Sequence, residues 1–206
     1  MKIANINSDA RMVIATSDHW IEDTQSFQEN MLFALEQSDD TRLITFGITP
    51  TFPATGYGYI ALDDQDKQRL MQVKHFNEKL DYTTAIGFLD SKKYPWNAGI
   101  FVWHAKAFLN GIEQHQPAFF ELFNSGISLY NTSDEVRFVN ENYPKAEDIS
   151  IDYALLEKSA SVNVIRATFD WNDLGSWKSL YDQLPKEHDS NAIVDAEVFI
   201  ENSSNN

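Results

Sequence analysis

The sequence predicts an α/β layered domain built on a central, partly parallel sheet. Short apolar runs with strand-like patterning alternate along the chain with stretches whose apolar residues recur at helical spacing, the pattern of a sheet covered by helices. The chain has 206 residues, 43% of them hydrophobic, enough for one sizeable core. No internal repeat, low-complexity tract or linker interrupts it before a polar tail.

The opening MKIANINSDA is polar, and residues 1 to 11 are expected to be a frayed lead-in. Met12 to Thr16 form a short apolar run suited to a buried strand. Phe27, Met31, Ala34 and Leu35 recur at helical spacing within 24 to 37, with Asp23 or Thr24 placed to cap the first turn. The strand RLITFGI follows, then a strand from Tyr57 to Leu62, and a third in which Met71, Val73 and His75 alternate with Gln72, Lys74 and Phe76. Helical patterns return at 81 to 90, 105 to 115 and 118 to 124, with the strand AGIFVWH between the first two. A helix is expected over 134 to 143, and another through SIDYALLEKSA, capped by Asp148. SVNVIRATF is a strand, 176 to 184 a helix, and AIVDAEVFIE a last strand before the end NSSNN.

Composition excludes several functions. There are 16 Lys and Arg against 31 Asp and Glu, a formal net charge of −15, which argues against a surface that tracks nucleic acid. Anionic substrates would need a metal or a few well placed cations. No cysteine is present, so disulfides and thiolate metal sites are ruled out, in keeping with a reducing cytoplasm. The apolar runs are too short for a membrane span and the first residues lack a signal-peptide core, so the expected location is cytoplasmic.

Chemistry concentrates in turn-rich aromatic motifs: SDHWIED at 17 to 23, TFGITPTFPATGYGYI at 45 to 60, NEK at 77 to 79, YPWNAGIF at 94 to 101, SIDYALLEKS at 150 to 159 and WNDLGSW at 171 to 177. Asp18 follows an apolar strand, where ligands collect in open α/β sheets, and a carboxylate there can hold Mg²⁺; taken alone it reads as a turn cap. Gly56 and Gly58 allow close approach of backbone to a ligand, although Gly-x-Gly by itself is a weak signal. Glu78 and Lys79 suit a sugar hydroxyl and a sugar phosphate, or are a solvated charge pair. Asn97 offers donors and an acceptor to vicinal hydroxyls, and Trp96 reads as packing. Asp152 reads equally as a ligand group and as a first-turn carboxylate favoured by the helix dipole. Asp173 is a candidate ligand or a residue that shapes the turn before the last helix.

Together these strings resemble the mannose-1-phosphate guanylyltransferases, from about Met12 to the C-terminus. The family motifs PADH, TGYGYI, EKP, WNSGMF, SIDYAVMEK and W.DLGSW match here with Thr16 and Ser17 for Pro and Ala, Leu80 for Pro, and Ala98 and Ile100 for Ser and Met. The resemblance implies a Rossmann-like nucleotidyltransferase fold, that of the nucleotide-diphospho-sugar transferases, with a mixed, mainly parallel sheet. It implies that Asp18 and Asp173 hold Mg²⁺ and that Lys79 offsets phosphate charge. Thr55, Gly56, Tyr57, Glu78, Lys79, Asn97, Gly99 and Asp152 are then expected around the sugar, and the reaction to be formation of GDP-mannose and pyrophosphate from GTP and mannose 1-phosphate.

In the family a glycine-rich GGxGxRLWP-type loop and a basic residue grip the nucleotide upstream of Asp18, and nothing similar precedes Asp18 here. The resemblance therefore implies a domain cut at its N-terminus, with 12 to 190 as the sugar-phosphate and metal-binding part and 191 to 206 the start of a C-terminal region. Such a chain is expected to be weakly active or inactive alone. The competing reading is a non-catalytic sugar-phosphate-binding module or a fragment that completes a partner; homo-oligomerisation stays open.

Overall fold

A computed structural model describes residues 1–62, 68–186 and 190–194. Its centre is a six-stranded mixed sheet in the order β1-β5-β2-β6-β4-β3, formed by β1 (Arg11–Ile14), β2 (Leu43–Ile48), β3 (Tyr59–Leu62), β4 (Leu70–Asn77), β5 (Trp96–His104) and β6 (Val162–Arg166). The helices are α1 (Lys2–Ile6), α2 (Thr24–Gln37), α3 (Tyr82–Ser91), α4 (Ala105–His115), α5 (Pro117–Asn124), α6 (Glu135–Asn142) and α7 (Trp177–Gln183).

β2 explains the layering. All six of its residues are buried, as in a strand covered on both faces. Ile44, Phe46 and Ile48 join one core with Met31 and Ala34 of α2 and Ala85 of α3. Leu43, the next residue in the opposite pleat, joins a second core with Ala107 and Ile112 of α4 and with Leu155 and Leu156. The alternation of successive side chains across the sheet thus glues a helical layer to each face.

The sheet is mixed, as expected, but it is not mainly parallel: only β2 and β6 run parallel among the six pairings of the described strands, and the other five are antiparallel. A parallel pair needs a long crossover, which β2 and β6 have; β3 and β4 are close in sequence and fold back directly.

Several local expectations are also corrected. The lead-in is not frayed at Lys2–Ile6, which form α1; Lys2 Nζ bonds Glu135 Oε1 at 2.6 Å and Asn5 Nδ2 donates to the Ile127 carbonyl at 3.2 Å. In β4, the register shift between Ala61 and Leu62 against His75 and Val73 exposes His75 and buries Phe76. The bulge adds one residue and flips the face, which simple alternation cannot foresee. The segment after Ser150 is a π-helical turn over Asp152–Leu156 rather than a long α-helix, and Ser150 Oγ, not Asp148, accepts the Tyr153 N–H, at 3.5 Å. The wide turn buries Ala154, Leu155 and Leu156 consecutively. Of the expected last strand, AIVDAEVFIE, all but residues 192 to 194 lies outside the described residues, and those three are not in a strand.

Candidate functional site

The site is built where β5 departs from regularity. Against β2, the register pairs Thr45 with Phe101 but Gly47 with Asn97, so β5 bulges across Ala98 to Ile100. Gly99 sits in the bulge with φ +66°, the only glycine with positive φ among the described residues. A side chain there would be strained, and bulges of this kind re-aim neighbouring side chains beside functional sites. Gly56 and Gly58 do not use their freedom of φ. Gly56 has open space around it, whereas a Cβ on Gly58 would come within 2.8 Å of Glu78 Cδ. Gly58 is required by the carboxylate that lies on it.

The bulge turns Asn97 toward Asp152, at the start of the π-turn. Asn97 Nδ2 donates to Asp152 Oδ1 at 3.0 Å, and Asn97 Oδ1 accepts from Thr45 Oγ1 at 2.8 Å and from the Gly99 N–H at 3.3 Å. The Asn97 N–H donates to the Gly58 carbonyl at 2.8 Å, which fixes the Glu78 platform to the same strand. Burial raises the carboxyl pKa of Asp152, opposed by its own backbone N–H and the Asn97 amide. Burial also raises that of Glu78, helped by the charges of Asp152 and Glu157 and opposed by Lys79. The structure therefore brings Glu78, Asn97 and Asp152 into one half-buried acceptor-rich cluster.

Lys79 follows directly. Its φ of 53° is uncommon for a residue with a Cβ, and such strain gathers at functional sites. Its Nζ lies 5.8 Å from the centre of the Tyr153 ring, a cation over an aromatic face. Leu80 stands where a proline would stiffen the turn, and Lys79 still takes the left-handed conformation.

The second half of the site is a junction of distant segments. Trp20 and Asn172 form a β-bridge, through N–H···O bonds of 2.8 and 3.1 Å, so the stretches carrying Asp18 and Asp173 lie side by side. Trp171 Nε1 donates to His19 Nδ1 at 3.0 Å, and the His19 ring lies 3.9 Å from where a Gly99 Cβ would be. Asp170 holds the junction to α2 by accepting the Glu22 and Asp23 N–H groups at 2.8 and 2.7 Å. Asp173 Oδ1 accepts from the Tyr57 hydroxyl at 2.6 Å and from the Gly175 N–H at 3.1 Å. Burial, then the Asp173 bond and charge, drive the Tyr57 pKa far upward. Tyr57, expected beside the sugar, thus points its hydroxyl at a carboxylate. Asp18 is exposed, and so are Thr55 and Gly56 on the loop before β3.

Two carboxylates on adjacent segments are a hard oxygen donor set of the kind that holds Mg²⁺ together with substrate phosphates. Among the described residues no group of three or more His, Cys, Asp or Glu is gathered so that it could hold a metal ion. Trp96 is packing, as expected: it is buried, with ring centroids 4.9 Å from Phe52 and 5.0 Å from Tyr57. Sequence reasoning missed Thr45, whose only signal was a hydroxyl in an otherwise apolar strand, and Asp170, which nothing local marks.

The nucleotidyl transferase family matches residues 1–190. The chain is similar to the mannose-1-phosphate guanylyltransferases of Klebsiella pneumoniae (34% identical over 202 residues) and Escherichia coli (33% over 202). It spans less than half of these relatives: each match covers 96% of this chain and 42% of the relative. A crystal structure described as a mannose-1-phosphate geranyltransferase from Thermus thermophilus superposes with a TM-score of 0.77 at 28% identity, covering 87% of this chain and 51% of the other. No helix among the described residues is long and apolar enough to cross a membrane.

Proposed function

The chain belongs to the nucleotidyl transferase family, and from that premise we propose that it supplies the sugar-phosphate and metal-binding part of a mannose-1-phosphate guanylyltransferase site. The overall reaction joins GTP and mannose 1-phosphate into GDP-mannose and pyrophosphate. A phosphate oxygen of mannose 1-phosphate attacks the α-phosphorus of GTP in line; the new P–O bond forms as the bond to the β-phosphate oxygen breaks, and pyrophosphate leaves. The observation that carries the reading is the convergence of Glu78, Asn97 and Asp152 in one cluster immediately beside the strained Lys79.

In this reading Glu78 and Asp152 accept from sugar hydroxyls, Asn97 donates to one, and the Lys79 ammonium holds the sugar phosphate and offsets its charge. Thr55, Gly56 and Gly99 border the sugar. Asp18 and Asp173 would hold Mg²⁺, which when bound supplies charge neutralisation between the phosphates. Tyr57 orients Asp173 by its hydrogen bond. The protein forms no covalent intermediate, and its contribution is placement and charge. A cytoplasmic location and a homo-oligomeric assembly belong to the same proposal.

The test is release of pyrophosphate and GDP-mannose from GTP and mannose 1-phosphate with Mg²⁺, compared with the Lys79→Ala variant. Product that depends on both substrates and falls with Lys79→Ala supports the guanylyltransferase reading. Binding of mannose 1-phosphate without turnover confines it to the sugar half-site, and absence of both refutes it.

A further inference from the structure

The amide of Asn97 can face two ways, and its surroundings choose one. The Asp152 carboxylate, 3.0 Å away, only accepts, so the NH₂ end must face it. The oxygen end is turned into the sheet, where the Gly99 N–H reaches it at 3.3 Å. Thr45 closes the arrangement: its hydroxyl lies 2.8 Å from Asn97 Oδ1 and 3.2 Å from the Ile100 carbonyl, and it has one proton to give. The shorter contact is to the amide. Reversing the amide would set NH₂ against the Gly99 N–H and oxygen against carboxylate, and it would deprive the Thr45 proton of its nearer acceptor.

Thr45 itself is 0% exposed, at the middle of β2, so it can touch no ligand. Its side chain nevertheless stands one hydrogen bond behind the residue that borders the site. We propose that Thr45 is a positioning residue that locks Asn97, so that the pocket presents a sugar with one amide N–H beside the two carboxylate acceptors of Asp152 and Glu78. That surface fits a hydroxyl that donates and accepts at once, as vicinal sugar hydroxyls do. The lock is a property of the fold; its use on a sugar rests on the proposed function.

Two readouts separate these. The first needs no ligand: the side-chain amide of Asn97 in ¹⁵N-resolved NMR, assigned by its loss in Asn97→Asp. In the parent and in Thr45→Ser its two protons give separate, exchange-protected lines; in Thr45→Val the lines shift and lose protection while the backbone spectrum stays folded. The second is the calorimetric Kd for mannose 1-phosphate, weakened about tenfold by Thr45→Val and within about twofold of the parent in Thr45→Ser, the size of one lost hydrogen bond. Should valine not fold, Thr45→Ala makes the same deletion in less volume. Unchanged Asn97 lines in the valine or alanine variant, or a serine variant as impaired as valine, overturns the proposal. If the Asn97 lines respond but the parent does not bind mannose 1-phosphate, the lock stands and the sugar reading fails.

Discussion

Replacing Gly58 by alanine tests the shape of the site with a single methyl group. The added Cβ would lie 2.8 Å from Glu78 Cδ and 3.1 Å from Oε2, with Oε1 closer still, so the carboxylate must leave its seat. Glu78 ends a flexible side chain, and the fold can yield there without moving backbone. Gly58 has no positive φ among the described residues, so alanine adds no backbone strain, and moving a half-buried carboxylate toward water relieves desolvation. Stability should therefore change by less than about 1 kcal/mol. Binding should suffer far more, because a hydrogen bond to a charged group contributes about 1.5–3 kcal/mol, roughly 10- to 150-fold in Kd. The assay is calorimetric titration with mannose 1-phosphate, beside urea denaturation of the same preparation. Glu78→Ala should lose a similar factor, and the double variant should be no weaker than Glu78→Ala, since both changes remove one group. Parent-like affinity in Gly58→Ala, or full additivity in the double variant, would show that Glu78 does not bind from the position it occupies here.

Three further outcomes follow from the geometry. Glu78→Gln should be more stable than the parent at pH 7, with the advantage shrinking toward pH 4: burial raises the folded-state pKa of Glu78, so its stabilising contribution is present below the unfolded value and is lost as pH rises through the folded one, the sign that urea denaturation across pH reads directly. Tyr57→Phe removes the 2.6 Å bond to Asp173 and should cost about 1–2 kcal/mol in urea denaturation, and Mg²⁺-dependent ligand binding should weaken with it; an unchanged denaturation midpoint would remove Tyr57 as the anchor of that carboxylate. Gly47→Ala places a Cβ 2.9 and 3.0 Å from two atoms of the rigid Pro95 ring and 3.0 Å from Val164 Cγ2, so overpacking should lower stability by about 1–3 kcal/mol, and a neutral result would contradict the close packing of that strand.

Much of the fold was legible because its signals are local. LITFGI, apolar but for Thr45 and Gly47, read as a strand and is buried on both faces; the cap Asp23 stands at its helix start, accepting from the Ser26 N–H group. What escaped depends on distant partners. Strand direction is set by which strands meet, and the bulges at Lys74 and Gly99 arise from mismatch with neighbours that the sequence does not display in order. The π-turn at Asp152 is favoured by three consecutive buried residues, a demand of the core behind it. The site shows the same division. The motifs marked Glu78, Asn97, Asp152 and Asp173 as polar groups in turn-rich settings, but not that Asn97 bonds Asp152, nor that Tyr57 faces Asp173. Those contacts cross 55 and 116 residues of chain.

The central claim is that Glu78, Lys79, Asn97 and Asp152 form a sugar-phosphate site, and calorimetric titration of the purified chain with mannose 1-phosphate and Mg²⁺, without GTP, addresses it most directly. Saturable binding at one site, lost in Lys79→Ala and in Asn97→Ala variants that remain folded, is the result the account predicts. Absence of binding by the folded parent, or binding that ignores both substitutions, would contradict it.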